Sequence, residues 1–263
     1  MKIRTFDLLN SKGEAYTLTT TNKYQGFMMT VDGLGFNSSR EYQRIGEIYE
    51  PLTDYINQGE IEGAIRFNEK YAYQAFSRFA LFCQDKNLTL YYRTPSGLFK
   101  RDGAVTKIEK SEGSDSLVTK ITFTATTPWY RDIEASANNH QLSIDIDTEI
   151  ESPCVLMFKA RYGISELTWN HYVGSDLVMQ GGLTGLSVAA NDVIVIRTDT
   201  NPYRIYNKTQ NTNLYSKSDF ATGRFPLLRK GTNLFTFSTV PIGTPGEPYG
   251  YISIEGKLYY ETI

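Results

Sequence analysis

The sequence has few of the residues from which most catalytic and metal sites are built. Its 263 residues include only two cysteines, Cys83 and Cys154, and two histidines, His140 and His171. Neither histidine has a second imidazole or a thiol at the spacing that metal ligands need. There is no Gly-x-Ser-x-Gly elbow, and the glycine-rich segment 181–185 lacks the Lys-Ser/Thr pair of a phosphate-binding loop. We therefore expect no cofactor and no metal, and we expect that the protein is not an enzyme.

Charge of one sign and long apolar runs are also missing. The 27 Lys and Arg residues balance 29 Asp and Glu residues, which gives a formal net charge of −2. Without a basic excess to hold a phosphate backbone, sequence-specific nucleic-acid binding is not expected. No stretch approaches the roughly 20 apolar residues that cross a bilayer, and the N-terminus has no apolar run of signal-peptide length. We therefore expect no membrane partner, a cytoplasmic place of folding, and two buried, reduced thiols.

Aromatic residues, by contrast, are abundant. The sequence contains 19 tyrosines and 14 phenylalanines, and with tryptophan they make up 13% of the chain. Together with many threonines and valines, they favour sheet over helix. At this length two domains of ordinary size are expected, and we place them at residues 1–132 and 133–263.

The proposed domain boundary follows a strand that ends abruptly. Residues 117–125 alternate apolar and polar side chains in the way of a half-buried strand. Pro128 cannot donate to a sheet, so the strand stops there. Trp129 and Tyr130 supply a large amphipathic anchor where the chain leaves the sheet. We therefore interpret Pro128, Trp129 and Tyr130 as an interdomain latch.

The first domain is predicted to be α+β, with one helix packed on a sheet. Short strands precede a helix over residues 68–86, whose alanines and phenylalanines follow the spacing of a single apolar face, and Asn68 is the expected N-cap. Residues 42–67 are predicted to form two extended segments joined by a turn at residues 57–59, which makes a long hairpin arm. A helix over residues 53–58 is the competing interpretation.

Tyrosine is concentrated in this arm and at the start of the helix. A small domain cannot bury so many, and tyrosine is enriched at protein interfaces because its side chain is rigid and amphipathic. We therefore expect the arm to bury this surface against copies of the same chain, in the head-to-tail contacts of a cyclic ring. The candidate self-assembly residues are Tyr42, Tyr49, Leu52, Tyr55 and Ile56.

The second domain is predicted to be an all-β sandwich. Its short strands are separated by glycine and asparagine turns, and none of its segments has a convincing helical pattern. Four aromatic or imidazole side chains could form a platform for a sugar ring on one face of this sandwich, although packing in the core or an interface is the favoured interpretation. They are Trp169, His171, Tyr172 and Tyr203.

Several segments resemble one known family. These segments are the opening Ile3–Asp7, the long stretch before the helix, the strand ending in Thr126–Tyr130, and Phe225–Asn233 with the strand after it. In layout, the whole chain is similar to the distal tail proteins of siphophages, the long-tailed bacteriophages, that infect Gram-positive bacteria.

The resemblance implies a structural protein of the virion tail tip, folded in the host cytoplasm before assembly. The first domain would form a hexameric ring, or belt, around a central channel, with the second as a galectin-like sandwich at the periphery. The ring would join the tail tube protein to the tail-associated hub protein, and the outer domain would hold baseplate or receptor-binding proteins. The alternative is a carbohydrate-binding adsorption protein that recognises a saccharide of the host cell wall.

Overall fold

The computed structural model describes most of the chain. Residues 4–18, 26–35, 38–45, 48–56, 59–67, 69–112, 117–219, 225–243 and 250–260 are described, with 38–45 and 48–56 given by their backbone alone. The chain divides into two compact units. The first is Met1–Tyr130 together with the residues from Tyr260 onwards, and the second is Arg131–Tyr259.

Among its described residues, the first unit is built from strands β1 to β9 and one helix, α1. The elements are β1 (Thr5–Leu9), β2 (Ala15–Thr17), β3 (Gly26–Asp32), β4 (Ser38–Ile45), β5 (Ile48–Ile56), β6 (Glu60–Phe67), a short 3-10 helix (Glu69–Tyr71), α1 (Ala72–Phe82), β7 (Leu88–Thr94), β8 (Gly97–Glu112) and β9 (Leu117–Ala125).

An antiparallel sheet with the order β2-β1-β7-β8-β9-β6-β3 forms the body of this unit. Its two edges meet at Leu18, whose N–H donates to Phe6 O at 2.9 Å and whose carbonyl accepts from Met28 N at 2.9 Å. Side chains alternate between the inside and the outside of the curled sheet, as a two-residue period requires. In β6, for example, Ile61 and Ile65 are buried. The sheet therefore encloses a single apolar interior.

The helix α1 covers this interior but is shorter than the sequence predicts. Phe79 packs on Tyr16 and on Phe67, with ring centroids 5.1 and 6.0 Å apart. The expected N-cap, Asn68, lies outside the described residues, and α1 begins without a side-chain cap. It ends at Phe82 rather than residue 86 because the Asp85 carboxylate accepts from the N–H of Asn87 at 2.9 Å, which favours a turn over a further helical turn.

A two-stranded arm exists, but it spans Ser38–Ile45 and Ile48–Ile56 rather than the predicted residues 42–67. Strand β4 pairs with β5 in a two-stranded sheet of their own, from Ser38 opposite Ile56 to Ile45 opposite Ile48. The hairpin predicted across residues 57–59 is wrong, because β6 carries core side chains and pairs instead with β3 and β9. The competing helix is also wrong over Thr53–Ile56, which is extended.

Among the described residues, the second unit consists of strands with one short 3-10 helix (Tyr215–Lys217). The strands are β10 (Trp129–Ala137), β11 (Gln141–Ile146), β12 (Ser152–Ala160), β13 (Ile164–Val173), β14 (Asp176–Leu183), β15 (Val193–Arg197), β16 (Arg204–Asn207), β17 (Thr212–Asn213), β18 (Ser218–Asp219), β19 (Leu227–Leu228), β20 (Gly231–Pro241) and β21 (Gly250–Tyr260). Strand β10 extends through residues 131–137, which the sequence suggests as a polar connection.

Two sheets of this unit pack face to face, which confirms the predicted sandwich. One sheet has the order β11-β20-β13-β14-β18, and the other runs β17-β16-β15-β12-β21-β10. Phe158 of β12 stacks on Phe237 of β20, with centroids 5.4 Å apart, so side chains of both sheets share one core. Cys154 belongs to this buried core, and Cys83 is buried in the first unit; neither forms a disulfide.

Candidate functional site

The candidate assembly element is the β4–β5 hairpin, called the arm from here on. Its register shifts between Glu41 and Tyr42, so that Glu41 lies opposite Thr53 and Tyr42 opposite Pro51. Leu52 is therefore the extra residue of a β-bulge, a feature that bends a strand and increases its twist. The candidate residues Tyr42, Tyr49, Leu52, Tyr55 and Ile56 all lie on these two strands. Their role as an interface stays a prediction.

The two ends of the arm leave the body of the unit side by side. Strands β3 and β6 are paired up to Asp32 opposite Glu62. Gly33 follows with φ +81° and lies so close to the Glu60 carbonyl that a Cβ atom would come within 2.0 Å of its oxygen. A side chain cannot fit this approach, and the positive φ is one that glycine adopts readily. The strands that precede and follow the arm in the chain, β3 and β6, are therefore paired with each other in the main sheet.

Trp129 and Tyr130, the aromatic part of the predicted latch, are anchored within the first unit. Trp129 is 1% exposed, and its Nε1–H donates to the carbonyl oxygen of Leu34 at 3.3 Å. The Tyr130 hydroxyl donates to Asp102 Oδ1 at 2.7 Å. Pro128 is exposed and follows the end of β9, as its missing N–H requires. Their role as an interdomain latch stays a prediction.

The indole of Trp129 lies against a buried arginine that the sequence reasoning missed. Arg101 on β8 is 6% exposed, and its guanidinium carbon lies 5.4 Å from the centre of the Trp129 ring system. Arg101 Nε donates to the carbonyl oxygen of Thr127 at 2.9 Å. Burial of the guanidinium lowers the pKa of Arg101, since it disfavours the charged form. The alternation of β8 could have indicated this burial, because Arg101 lies two residues after the buried Phe99 and so faces the same side of the strand.

The four residues suggested as a saccharide platform are not brought together on a surface. Trp169 is fully buried, and its Nε1–H points to Met179 Sδ at 3.2 Å. His171 is 1% exposed. Both side chains of β13 therefore face the sandwich core, and the favoured interpretation as core packing holds for them. Tyr172 is half-buried, and only Tyr203 is exposed.

His171 takes a structural role inside the second unit. Its ring stacks on Phe235 with centroids 4.3 Å apart, and Nε2 lies 2.9 Å from Asn233 Oδ1. The Asn233 amide nitrogen donates to two carbonyl groups, of Arg229 and Gly231, so its oxygen is the acceptor and His171 Nε2 carries the proton. Burial lowers the pKa of His171 to about 4, which keeps the imidazole neutral at pH 7.

An aromatic groove in the second unit surrounds Tyr203, the exposed member of the four suggested platform residues. Tyr203 lies 5.0 Å from Phe225, and Tyr215 stacks on the same ring at 6.1 Å. Tyr203, Tyr215, Asn211 and Asn213 are among the residues that line this groove, which measures about 700 Å³. Phe225 is 10 positions from Tyr215 and 22 from Tyr203, and no regular strand or helix period brings residues at these separations together.

In the part of the chain that the structure describes, no cluster of three or more His, Cys, Asp or Glu side chains could hold a metal ion. In the same residues, no helix has the length and apolar character to span a bilayer.

The fold and the arm together define a class of protein: a two-unit β-protein whose first unit extends a two-stranded ribbon. Residues 5–126 match the family model described as the distal tail protein, N-terminal domain. This match confirms the resemblance drawn from the sequence, and residues 5–126 form an N-terminal domain of the distal tail protein family.

Solved structures extend the likeness to both units. The Dit protein of phage SPP1, described as a paradigm of the hub adsorption apparatus in phages that infect Gram-positive bacteria, aligns with a TM-score of 0.66 at 12% identity, covering 96% of this chain and 98% of that one. A chain of the phage P2 baseplate in its activated conformation with Ca aligns with a TM-score of 0.59 at 17% identity, covering 99% and 100%. These likenesses show a shared fold. No sequence among curated proteins matches the chain.

Proposed function

We propose that this protein is a structural subunit of a phage tail tip, where six copies form a ring through their arms. The ring links the tail tube protein to the tail-associated hub protein and to baseplate or receptor-binding proteins. The observation that carries the proposal is the arm, a two-stranded sheet that extends from a domain of the distal tail protein family. The protein acts by holding other proteins in place rather than by catalysis.

The arm is a two-stranded ribbon whose own stability is low. A two-stranded hairpin is marginally stable in water unless a third strand or another surface covers it. In the described residues, β4 and β5 pair only with each other, so each strand presents an open edge of backbone N–H and C=O groups. A neighbouring copy can cover these edges, and a head-to-tail contact repeated around an axis closes into a ring.

The two units have separate roles in this proposal. The first unit, which carries the arm, forms the belt around a channel through which DNA passes without being read. The second unit is a galectin-like sandwich at the periphery, and it offers its surface to baseplate or receptor-binding proteins. The near-neutral net charge of −2 supports a channel protein that does not hold the phosphate backbone.

Removal of the arm tests this function. We expect a variant in which a four-residue turn replaces residues 38–56 to remain folded by circular dichroism, because β3 and β6 keep their pairing in the main sheet. Negative-stain images of this variant should lack the rings that the wild-type protein forms. A Gly35→Ala variant is the matched control, because a Cβ at this exposed position meets no atom within 4 Å. Rings in the arm-less variant would refute the proposed function.

A second candidate function is saccharide binding by the second unit, and the groove around Tyr203 and Tyr215 favours it. These side chains are 41% and 50% exposed, and flat aromatic faces in a groove that asparagine residues also line suit the apolar face and the hydroxyls of a sugar ring. Calorimetry against host cell-wall polysaccharide tests this candidate. Tyr203→Ala and Tyr215→Ala should abolish the heat signal, whereas Tyr73→Ala, an exposed tyrosine of the first unit, should preserve it. No signal with wild-type protein removes the candidate.

A further inference from the structure

We propose that Arg101 is a positioning residue for assembly: together with Trp129 it clamps both ends of the arm and fixes the direction in which the arm extends. This inference rests on the proposed function, since it explains how the arm meets a neighbouring copy in a defined orientation. It assigns a task to a buried arginine that the fold of the first unit does not otherwise require.

Both ends of the arm contact one small cluster. Leu34, before β4, accepts the hydrogen bond from Trp129 Nε1 at 3.3 Å. Gly59, after β5, accepts a hydrogen bond from the N–H of Ala125 at 3.1 Å. Arg101 lies against Gly59 and across Trp129, so it joins the two contacts. The cluster therefore holds the start and the end of the arm at the same place.

The packing between Arg101 and Gly59 leaves no space for a side chain. A Cβ atom built on Gly59 would lie 2.7 Å from Arg101 Nη1 and 2.8 Å from Nη2, well inside van der Waals contact. The guanidinium itself is held by its hydrogen bond to Thr127 O and by the Trp129 ring below it. Glycine at position 59 and arginine at position 101 therefore fit each other as a pair.

Stability alone does not account for this arginine. Arg101 is only 6% exposed, yet its Nη1 has no hydrogen-bond partner in the described structure. A buried cation with an unpartnered N–H is costly, and replacement by an apolar side chain of similar length is often neutral or stabilising. The residue therefore costs folding energy at a position where it restrains the arm.

A restraint at the base matters because the arm acts as a lever. Strand β5 has nine residues, and at about 3.3 Å per residue it extends roughly 30 Å. A rotation of about 10° at the base would displace the tip by roughly 5 Å, about the spacing between neighbouring strands. Loss of the clamp would therefore misalign the arm edge with its partner without unfolding the unit that carries it.

The test separates stability from assembly. Arg101→Met keeps the length of the side chain and removes the guanidinium, and we expect a thermal midpoint equal to or above the wild-type value. The dissociation constant of the ring, from sedimentation velocity over a dilution series, should rise at least tenfold. Arg93→Met, on the exposed arginine of β7, is the matched control and should change neither quantity.

The pair is tested by a double-mutant cycle. Gly59→Ala should weaken the ring in the wild-type background, because the new Cβ displaces the guanidinium. In the Arg101→Met background the same substitution should add less than a further twofold, since the crowding atoms are gone. If the fold-changes of the two single variants in the dissociation constant multiply in the double variant, the residues act independently and the clamp is overturned.

The remaining outcomes distinguish a failure of the clamp from a failure of the proposed function. An Arg101→Met ring with a dissociation constant within twofold of wild type, beside an arm-less variant that is monomeric, overturns the clamp and leaves the ring function intact. If Arg101→Met does not fold, Arg101→Lys replaces it; a tenfold weaker ring at an unchanged thermal midpoint supports the clamp, and an unchanged ring overturns it. A ring formed without arms overturns both.

Discussion

The Nε1–H of Trp129 donates a hydrogen bond to the carbonyl oxygen of Leu34, a residue 95 positions earlier in the chain, at 3.3 Å. Leu34 is the residue after Gly33 and lies in the segment between β3 and the arm. A tryptophan at the junction between the two units is therefore tied to the segment that precedes the arm in the chain. Its ring also lies 5.8 Å from Tyr92, and Tyr92 stacks on Phe6 at 4.7 Å, so the hydrogen bond is backed by an aromatic core.

Substitution of Trp129 should be strongly destabilising. The side chain is 1% exposed, so Trp129→Ala leaves a large cavity and should lower the free energy of unfolding by about 3–5 kcal/mol. Trp129→Phe keeps most of the apolar volume but loses the hydrogen bond to Leu34, and a smaller loss of about 1–2 kcal/mol is expected. Urea denaturation followed by circular dichroism measures both. A loss below roughly 1 kcal/mol for the alanine variant would contradict the buried position.

The sequence predicts strands well where one face is buried. The alternation of residues 117–125 gives β9 at its observed bounds, because each apolar side chain of that period faces the core. Strand pairing is harder to predict. Strand β4 reads Ser-Ser-Arg-Glu-Tyr-Gln-Arg-Ile, and this polar segment gives no sign that β5 rather than β6 is its partner. That choice depends on β6, whose core side chains commit it to the main sheet.

Substitution of the arm tyrosines should weaken assembly more than folding. A variant with Tyr42, Tyr49 and Tyr55 changed to serine should form a ring at least tenfold weaker, because serine removes the aromatic area that a neighbouring copy would cover. The thermal midpoint of the isolated subunit should change by less than 3 °C.

The control for this variant is Tyr203→Ser, which removes an exposed tyrosine of the second unit. It should leave both the ring and the thermal midpoint unchanged. Parallel loss of stability and assembly in the triple variant would show that the arm tyrosines are ordinary core residues of the subunit.

Acid should destabilise the second unit through His171. Its pKa is lowered from 6.5 to about 4 by burial, so as the pH falls below 6.5 the unfolded chain takes up a proton that the folded chain does not. The stability that neutral His171 contributes is therefore fully present above pH 6.5 and is lost between pH 6.5 and 4. Below pH 4 this group causes no further change. The difference corresponds to roughly 3 kcal/mol.

The measurement is urea denaturation at intervals between pH 7.5 and 4.5. His171→Gln should flatten the dependence on pH relative to wild type, while His140→Gln, a change at an exposed histidine, should retain the wild-type profile. Identical slopes for His171→Gln and wild type would contradict the neutral, buried imidazole.

Gly181 should tolerate no side chain. A Cβ at this position would lie 2.6 Å from Cζ2 of the buried Trp169, and the crowding should cost about 1–3 kcal/mol of unfolding free energy. Gly163→Ala is the control in the same unit, because its new Cβ would meet its nearest neighbour at an ordinary contact distance of 3.4 Å. Equal stability of the two variants, measured by thermal denaturation, would contradict the packing around Trp169.

The saccharide platform shows why a site is harder to predict than a strand. Trp169 and His171 are two positions apart on β13, so the alternation correctly places them on one face of the strand. The same alternation indicates which face is the core, because Leu167 shares that face while Glu166 and Thr168 lie on the other. What it does not show is that Tyr203 lies elsewhere, beside Phe225. On β8, Arg101 lies two residues after Phe99 and so faces the same side of the strand, and this position indicates that the charged residue is buried.

The mass of the purified protein in solution tests the central claim most directly. Light scattering coupled to size-exclusion chromatography, over a concentration series, should give six times the subunit mass of 29.8 kDa at high concentration. The arm-less variant in the same series should give the mass of one subunit. A wild-type mass of one subunit at every concentration would contradict the proposal that arms join copies of this chain into a ring.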